Sequence, residues 1–110
     1  MIRIPIRTVS EANQRESWRN RHRRTSEHRS LSTMFVNSNK VSGRRPTRIL
    51  LRRVGVQLLD DDNLQGSMKA CRDGIADAFG TDDGPNSGIT WEYSQKKGKP
   101  PCVEVEIFYE

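Results

Sequence analysis

The chain has 110 residues, of which 33% are hydrophobic and 30% charged, which suits a single domain over residues 1–110 with a modest core. No apolar run approaches the roughly 20 residues that a membrane-spanning helix needs, residues 1–30 contain no apolar signal-peptide segment, and two cysteines are too few for a disulfide framework. We therefore expect a soluble cytoplasmic protein without a membrane partner.

Charge is divided unevenly along the chain. Residues 1–53 carry a net charge of +11 and residues 54–110 a net charge of −6, which gives +5 overall. The 19 Lys and Arg residues favour a polyanionic partner, because each cation that meets a phosphate releases condensed counterions. The acidic half would repel the same phosphates unless its carboxylates hold a divalent metal.

The first predicted element is a strand, because apolar and polar residues alternate over residues 2–7. Pro5 cannot donate a hydrogen bond to a neighbouring strand, so an edge position is expected. Thr8 and Glu11 then have the spacing of a capping box, with Ser10 as a second candidate cap, and a polar helix is predicted from there to about Met34.

Arginines cover this helix, so it cannot be a core helix. We expect Trp18 and His22, one turn apart, to anchor it to the core; stacking on nucleic-acid bases is the alternative. The basic helix itself has two interpretations, contact with nucleic-acid phosphates or a face that meets solvent or a second subunit. Its arginines are Arg15, Arg19, Arg21, Arg23, Arg24 and Arg29.

The middle of the chain predicts a loop, a strand and a helix. Residues 37–47 are rich in turn-forming residues, residues 48–59 form a strand with a possible bulge at Gly55, and residues 63–79 form a helix ended by Gly80. One apolar stripe follows this helix at spacings of three and four residues. Its members are Leu64, Met68, Cys71, Ile75 and Phe79.

Two further strands, ITWEY and CVEVEIFY, are predicted to pair as a hairpin at the end of the chain. The resulting order, β–α–β–α–β–β, predicts an α+β fold with a small mixed sheet covered by helices.

Two acidic clusters flank the helix predicted over residues 63–79. The run 60–62, followed by Asn63, lies at its start, and Asp82 and Asp83 lie just beyond its end. Crowded carboxylates repel one another unless a cation neutralises them, and Mg²⁺ prefers one or two carboxylates with water and substrate phosphate. The alternative is structural: one aspartate of the first cluster caps the helix, and the second cluster forms a turn.

Helical geometry places Lys69 and Asp73 near the direction of Asp62, opposite the apolar stripe. A lysine beside metal-binding carboxylates can stabilise the charge that builds up on a phosphate during its cleavage. An ordinary ion pair between Lys69 and Asp73 on a solvated face is the alternative.

These motifs resemble those of the RusA family, the Holliday-junction resolvases carried by phages and prophages. The similarity covers residues 58–84 best and lies in DxDNLQ, KAxxD and a DD turn. The residues concerned are Asp60, Asp62, Asn63, Leu64, Gln65, Lys69, Ala70, Asp73, Asp82 and Asp83.

The resemblance implies a RusA-like homodimer that binds a four-way DNA junction and cuts phosphodiesters with Mg²⁺, for which Mn²⁺ can substitute. It places the metal on Asp60, Asp62 and Asp83, and assigns Lys69 as the catalytic lysine. KAxxD aligns with the family pattern after an insertion of about three residues, close to one helical turn.

We therefore expect a metal-dependent endodeoxyribonuclease that resolves four-way junctions in the cytoplasm of a bacterial or phage-infected cell. The arginines expected to hold the DNA are Arg15, Arg19, Arg23 and Arg24. The alternative is a basic DNA-binding phage protein without catalytic activity, or an inactive relative of the RusA family.

Overall fold

A four-stranded mixed sheet and its helices make up the fold in the computed structural model, which describes residues 1–10, 15–81, 84 and 87–110. The predicted α+β class is confirmed. In chain order the elements are β1 (Ile2–Ile4), α1 (Trp18–Asn39), β2 (Pro46–Gly55), α2 (Asp61–Ser67), α3 (Lys69–Ala78), β3 (Thr90–Lys97) and β4 (Cys102–Tyr109).

The strands lie in the order β1–β4–β2–β3. β4 is antiparallel to both of its neighbours, whereas β2 and β3 are parallel. A parallel pair needs a long crossover connection, which here contains α2 and α3. β1 is an edge strand, as predicted. It ends at Ile4 and not at residue 7, so Pro5, which cannot donate to a neighbouring strand, lies just after it.

The predicted terminal hairpin is wrong, because β2 lies between β3 and β4. The connection at residues 98–101 passes the end of β2, where the N–H of Gly98 donates to the carbonyl oxygen of Gly55 at 2.9 Å. Alternation predicts a strand but not its neighbours. Here the fully buried Ile49 and Leu51 give β2 a central position.

The ends of β2 also differ from the prediction. The strand ends at Gly55, before the predicted 48–59 does, and Gly55 pairs in regular register with Lys97. No bulge therefore occurs at Gly55; the register shift of β2 lies between Pro46 and Arg48.

The core lies between the sheet and the helices. Ile4, Ile49 and Val105 are fully buried on the sheet, and Met68 and Ile75 are fully buried on the helical side. The predicted apolar stripe is thus confirmed for its first four residues, while Phe79 is half-buried against the same cluster.

α1 begins and ends later than predicted. Ser17 is its N-cap, with an Oγ that accepts a hydrogen bond from the N–H of Asn20 at 3.2 Å. Thr8 has another role, since its Oγ1 accepts a hydrogen bond from Arg53 at 2.9 Å; Glu11 lies outside the described residues. The helix extends to Asn39 because the fully buried Val36 packs its last turns against the core.

The predicted helix at 63–79 is two helices, α2 and α3, which meet at Met68. Met68 has a φ of −110° and a ψ of 9°, outside the helical region. Gly66 and Ser67 precede it, and both are weak helix formers. The Oγ of Ser67 also bonds to the carbonyl oxygen of Leu64 at 2.7 Å, a local bond that competes with a continuous helix. Gly80 ends α3 with a φ of 65°, as predicted.

The sheet face opposite the helices carries a charge cluster centred on Glu104, which is only 3% exposed. Its carboxylate contacts Arg3 at 3.3 Å, and Arg52 and Lys96 at 3.5 Å each. Burial acts to raise the pKa of Glu104, but the hydrogen bond from Arg3 and the charge of Lys96 outweigh this effect, so the pKa is lowered overall.

No helix in the described residues has the length and apolar character to cross a bilayer.

Candidate functional site

The first acidic cluster lies where the segment after β2 enters α2. Asp60 is the N-cap residue, with extended backbone angles, and its carbonyl oxygen accepts the first helical hydrogen bond from Leu64 at 2.8 Å. The Asp60 side chain makes no capping hydrogen bond. Asp61 and Asp62 occupy the first turn, and all three carboxylates are exposed. Their oxygens can therefore reach a ligand in solvent.

Gln95 on β3 positions this acidic segment. Its side-chain amide accepts a hydrogen bond from the N–H of Leu59 at 2.9 Å and donates one to the carbonyl oxygen of Leu59 at 2.7 Å. The buried Leu64 holds the other side of the segment in the core. Asp60 and Asp62 thus lie between two fixed points, which limits how far they can move apart.

Lys69 is the first residue of α3 and binds Asp73 one turn later, with Nζ and Oδ1 2.7 Å apart. This is the ion pair of the structural alternative. The predicted single helical face holding Asp62, Lys69 and Asp73 is interrupted, because the break at Met68 puts Asp62 on α2 and the other two on α3. The Lys69 side chain remains 60% exposed.

The third predicted metal ligand, Asp83, and its neighbour Asp82 lie outside the described residues. Within the described part of the chain, no three His, Cys, Asp or Glu side chains form a group that could hold a metal ion. The predicted set of Asp60, Asp62 and Asp83 therefore stays a prediction. Asp60 and Asp62 both offer exposed carboxylate oxygens, which are ligands that suit Mg²⁺.

The predicted nucleic-acid-binding arginines fall into two groups. Arg15, Arg19 and Arg23 are exposed before or on the first turns of α1. Arg24 is half-buried and its guanidinium binds the carboxylate of Glu16, with an Nε–Oε1 distance of 3.2 Å. The exposed group therefore presents its charge to solvent, whereas part of the Arg24 charge is neutralised within the protein.

Trp18 and His22 do not anchor α1 to the core. Trp18 is 74% exposed, with the Arg19 guanidinium 5.5 Å from its ring centre, and His22 is exposed as well. Leu31, Phe35 and Val36 make core contacts of α1 instead. This prediction was wrong because an aromatic residue in a polar helix indicates a tendency to make apolar contacts. It does not indicate that these contacts are made with the core of the same chain.

A cleft that was not predicted from the sequence lies between the segment after β1 and the end of β2. Its lining includes Thr8, Ser10, Arg53, Gln57 and Leu59. Arg53 follows the inward-facing Ile49 and Leu51 with the period of two of a strand. That alternation was the available sign that this arginine points towards the protein interior.

Burial, together with the positive charge of the nearby Arg7, lowers the pKa of the Arg53 guanidinium. Arginine still carries its charge at neutral pH, so the cleft holds a buried positive charge.

The chain matches no protein-family model, no curated protein and no solved structure. Its resemblance to the RusA family therefore rests on the motifs in residues 58–84 alone.

Proposed function

We propose that this protein is a metal-dependent, structure-selective endodeoxyribonuclease that cuts four-way DNA junctions. The observation that carries the proposal is the exposure of Asp60 and Asp62 in the short segment between β2 and α2, with the Asp60 side chain unused as a cap. Adjacent exposed carboxylates in a basic protein are suited to bind a divalent cation that they share with a phosphate.

In this proposal Asp60, Asp62 and Asp83 hold the metal. A bound Mg²⁺ supplies Lewis-acid chemistry, polarising the scissile phosphate and activating water. Gln95 keeps the segment before Asp60 in place through its two hydrogen bonds to Leu59. Ligands that are held in place before DNA binds lower the entropic cost of assembling the site.

Lys69 stabilises the negative charge that develops on the phosphate. To do so it exchanges its contact with Asp73 for the phosphate. The cost of that exchange is small, because an exposed ion pair one turn apart on a helix contributes only about 0.3–0.5 kcal/mol.

The exposed arginines of the α1 region, Arg15, Arg19 and Arg23, hold the DNA arms through their phosphates. Four-way junctions have two-fold related strands, so symmetric cleavage calls for a homodimer that presents two copies of this surface. Light scattering at assay concentrations tests the dimer, and a monomer there would overturn this part of the proposal.

The second candidate function is DNA binding without catalysis, including the case of an inactive RusA relative. The ion pair between Lys69 and Asp73 favours it, because such a pair is typical of an ordinary solvated helix face. Added Mg²⁺ separates the two candidates, since a metal that binds only the folded state raises the melting temperature. Alanine at Asp60 and Asp62 removes that rise if these residues hold the metal.

The direct test is cleavage of a synthetic four-way junction with and without Mg²⁺ or Mn²⁺, beside a linear duplex of the same sequence. Paired nicks on the junction alone, and only with metal, support the nuclease. Tight binding without cleavage in either metal would overturn it in favour of the binding protein.

A further inference from the structure

Arg53 is buried without a carboxylate partner among the described residues. Arg53 is only 8% exposed. Its side-chain nitrogens donate hydrogen bonds to uncharged oxygens. The partners are Thr8 Oγ1 at 2.9 Å, Gln57 O at 2.7 Å and Thr8 O at 3.5 Å. These bonds fix the guanidinium in position but leave its charge uncompensated, which is costly in a buried place.

Two further groups beside Arg53 also lack a counterpart among the residues that the structure describes. Arg7 is exposed and lines the same cleft, so a second positive charge faces the first instead of neutralising it. Ser10, which is 8% exposed, lines the cleft as well, and its buried Oγ has no hydrogen-bond partner within the part of the chain that the structure describes. Buried hydroxyls almost always have a partner.

Gly55 makes room for the Arg53 side chain. A Cβ at this position would lie 2.8 Å from Nη1 and 3.0 Å from Cζ of Arg53. Because three hydrogen bonds hold the guanidinium, it cannot easily move away from such a Cβ. The absence of a side chain at Gly55 therefore leaves the space that the Arg53 guanidinium occupies.

We propose that this cleft, with a volume of about 420 Å³, binds one phosphate group through Arg53, Arg7 and Ser10. The anion supplies the missing negative charge and accepts the unused hydrogen bond of the Ser10 hydroxyl. Arginine is suited to either anion. The cleft holds two positive charges, and a phosphate group carries up to about two negative charges at neutral pH, whereas a carboxylate carries one, so the charge balance favours the phosphate.

The site borders the acidic segment, because Leu59 lines the cleft and directly precedes Asp60. A phosphate of a DNA strand and a free phosphate or nucleotide are both possible sources of the group. The site needs neither metal nor cleavage, so it is independent of the proposed nuclease activity.

The experiment measures the melting temperature in sodium phosphate, sodium acetate and sodium chloride at equal pH and ionic strength. Phosphate should raise the melting temperature of the wild-type protein by several degrees over chloride, through its binding to the folded state. Arg7→Gln and Ser10→Ala should each lose most of this rise. Arg44→Gln, an equal loss of charge at the opposite end of β2, should keep it.

Gly55→Ala tests the position of the guanidinium without removing its charge, and it should also lose the phosphate effect. Without phosphate, Arg7→Gln should be at least as stable as the wild type, because it removes a repulsion from Arg53. An equal rise in acetate, or a phosphate effect unchanged in Arg7→Gln and Ser10→Ala, would overturn the proposal.

DNA binding by the same variants identifies the source of the phosphate. A DNA affinity that falls at least several-fold in Arg7→Gln and Ser10→Ala, but not in Arg44→Gln, supports the site with a DNA phosphate as its ligand. An unchanged DNA affinity with a lost phosphate effect supports the site with a free phosphate or nucleotide instead.

Discussion

Gly74 on α3 lies so close to Arg29 on α1 that an added Cβ would be 2.3 Å from the carbonyl oxygen of Arg29. Across the same contact, the Oγ1 of Thr33 donates to the carbonyl oxygen of Gly74 at 2.8 Å, and the Arg29 guanidinium binds both carboxylate oxygens of Asp77 at 2.6 and 3.0 Å. The two helices are thus joined by a backbone approach that only glycine permits, and an ion pair closes its exposed side.

Gly74→Ala should lower the free energy of unfolding by about 2–3 kcal/mol, because the methyl group meets backbone, which cannot rotate away. The control is Gly66→Ala on α2, where an added Cβ meets nothing within 4 Å. That variant should be neutral or more stable by up to about 1 kcal/mol. Urea unfolding measures both, and equal stabilities for the two variants would contradict the close contact.

Asp62→Asn should keep junction binding and lose cleavage, because the amide preserves the shape of the side chain but not the charge that holds the metal. Gel shift and cleavage assays on the same four-way junction measure the two properties. Asp61→Asn, an equal change in the next residue of the same exposed turn, should retain cleavage. An active Asp62→Asn enzyme would exclude Asp62 as a metal ligand.

Replacing Arg19 and Arg23 together by Gln should weaken DNA binding and make its salt dependence shallower. Each lost phosphate contact reduces the slope of log K against log salt by about 0.9, so a change of about 2 is expected. Arg44→Gln serves as the control for loss of charge elsewhere. Fluorescence of the exposed Trp18 reports binding; an unchanged slope would show that this part of α1 does not contact the DNA.

Stability should fall in acid partly through Glu104. Its pKa is lowered in the folded protein, because the hydrogen bond from Arg3 and the charge of Lys96 outweigh the opposing effect of burial. Its carboxylate therefore stabilises the fold above the pKa of the unfolded chain, about 4.3, and this contribution is lost as the pH falls through the folded value.

Glu104→Gln should make the pH dependence of the unfolding free energy shallower below pH of about 5. It should also lower stability near neutral pH, by about 1–3 kcal/mol, because three cations lose their shared carboxylate. Glu106→Gln, on the same face of β4, is the control. Parallel stability profiles for the wild type and Glu104→Gln would argue against this role.

Cys71 should be unreactive in the folded protein. It is fully buried, and burial raises the pKa of its thiol to about 11, so very little thiolate forms at pH of about 8. Iodoacetamide labelling of the Cys102→Ser variant, followed by mass spectrometry, should be slow in buffer and rapid in urea. Fast labelling without urea would show that α3 opens readily from the core.

Local pattern was enough to predict much of this protein. Alternation identified β1, β3 and β4, and a β-rich composition identified β2. The stripe from Leu64 to Ile75 identified the buried side of α2 and α3, and Gly80 marked the end of α3. Each of these signals depends on neighbours within a few residues, where chain geometry alone relates sequence position to direction. The acidic segment before α2 and the basic character of α1 were evident for the same reason.

Only the tertiary structure decided which strands are neighbours, where α1 begins and what surrounds Arg53. β2 separates β3 from β4 because burial of its apolar face favours the centre of the sheet. The Thr8 hydroxyl accepts a hydrogen bond from Arg53 instead of capping α1. The contact between Thr8 and Arg53 joins residues 45 positions apart, and the pairs of β2 with β3 and β4 also join residues far apart in the sequence. Local propensity carries no information on such pairs. The interaction energy of a distant pair is gained only after the chain has closed the loop between the two residues.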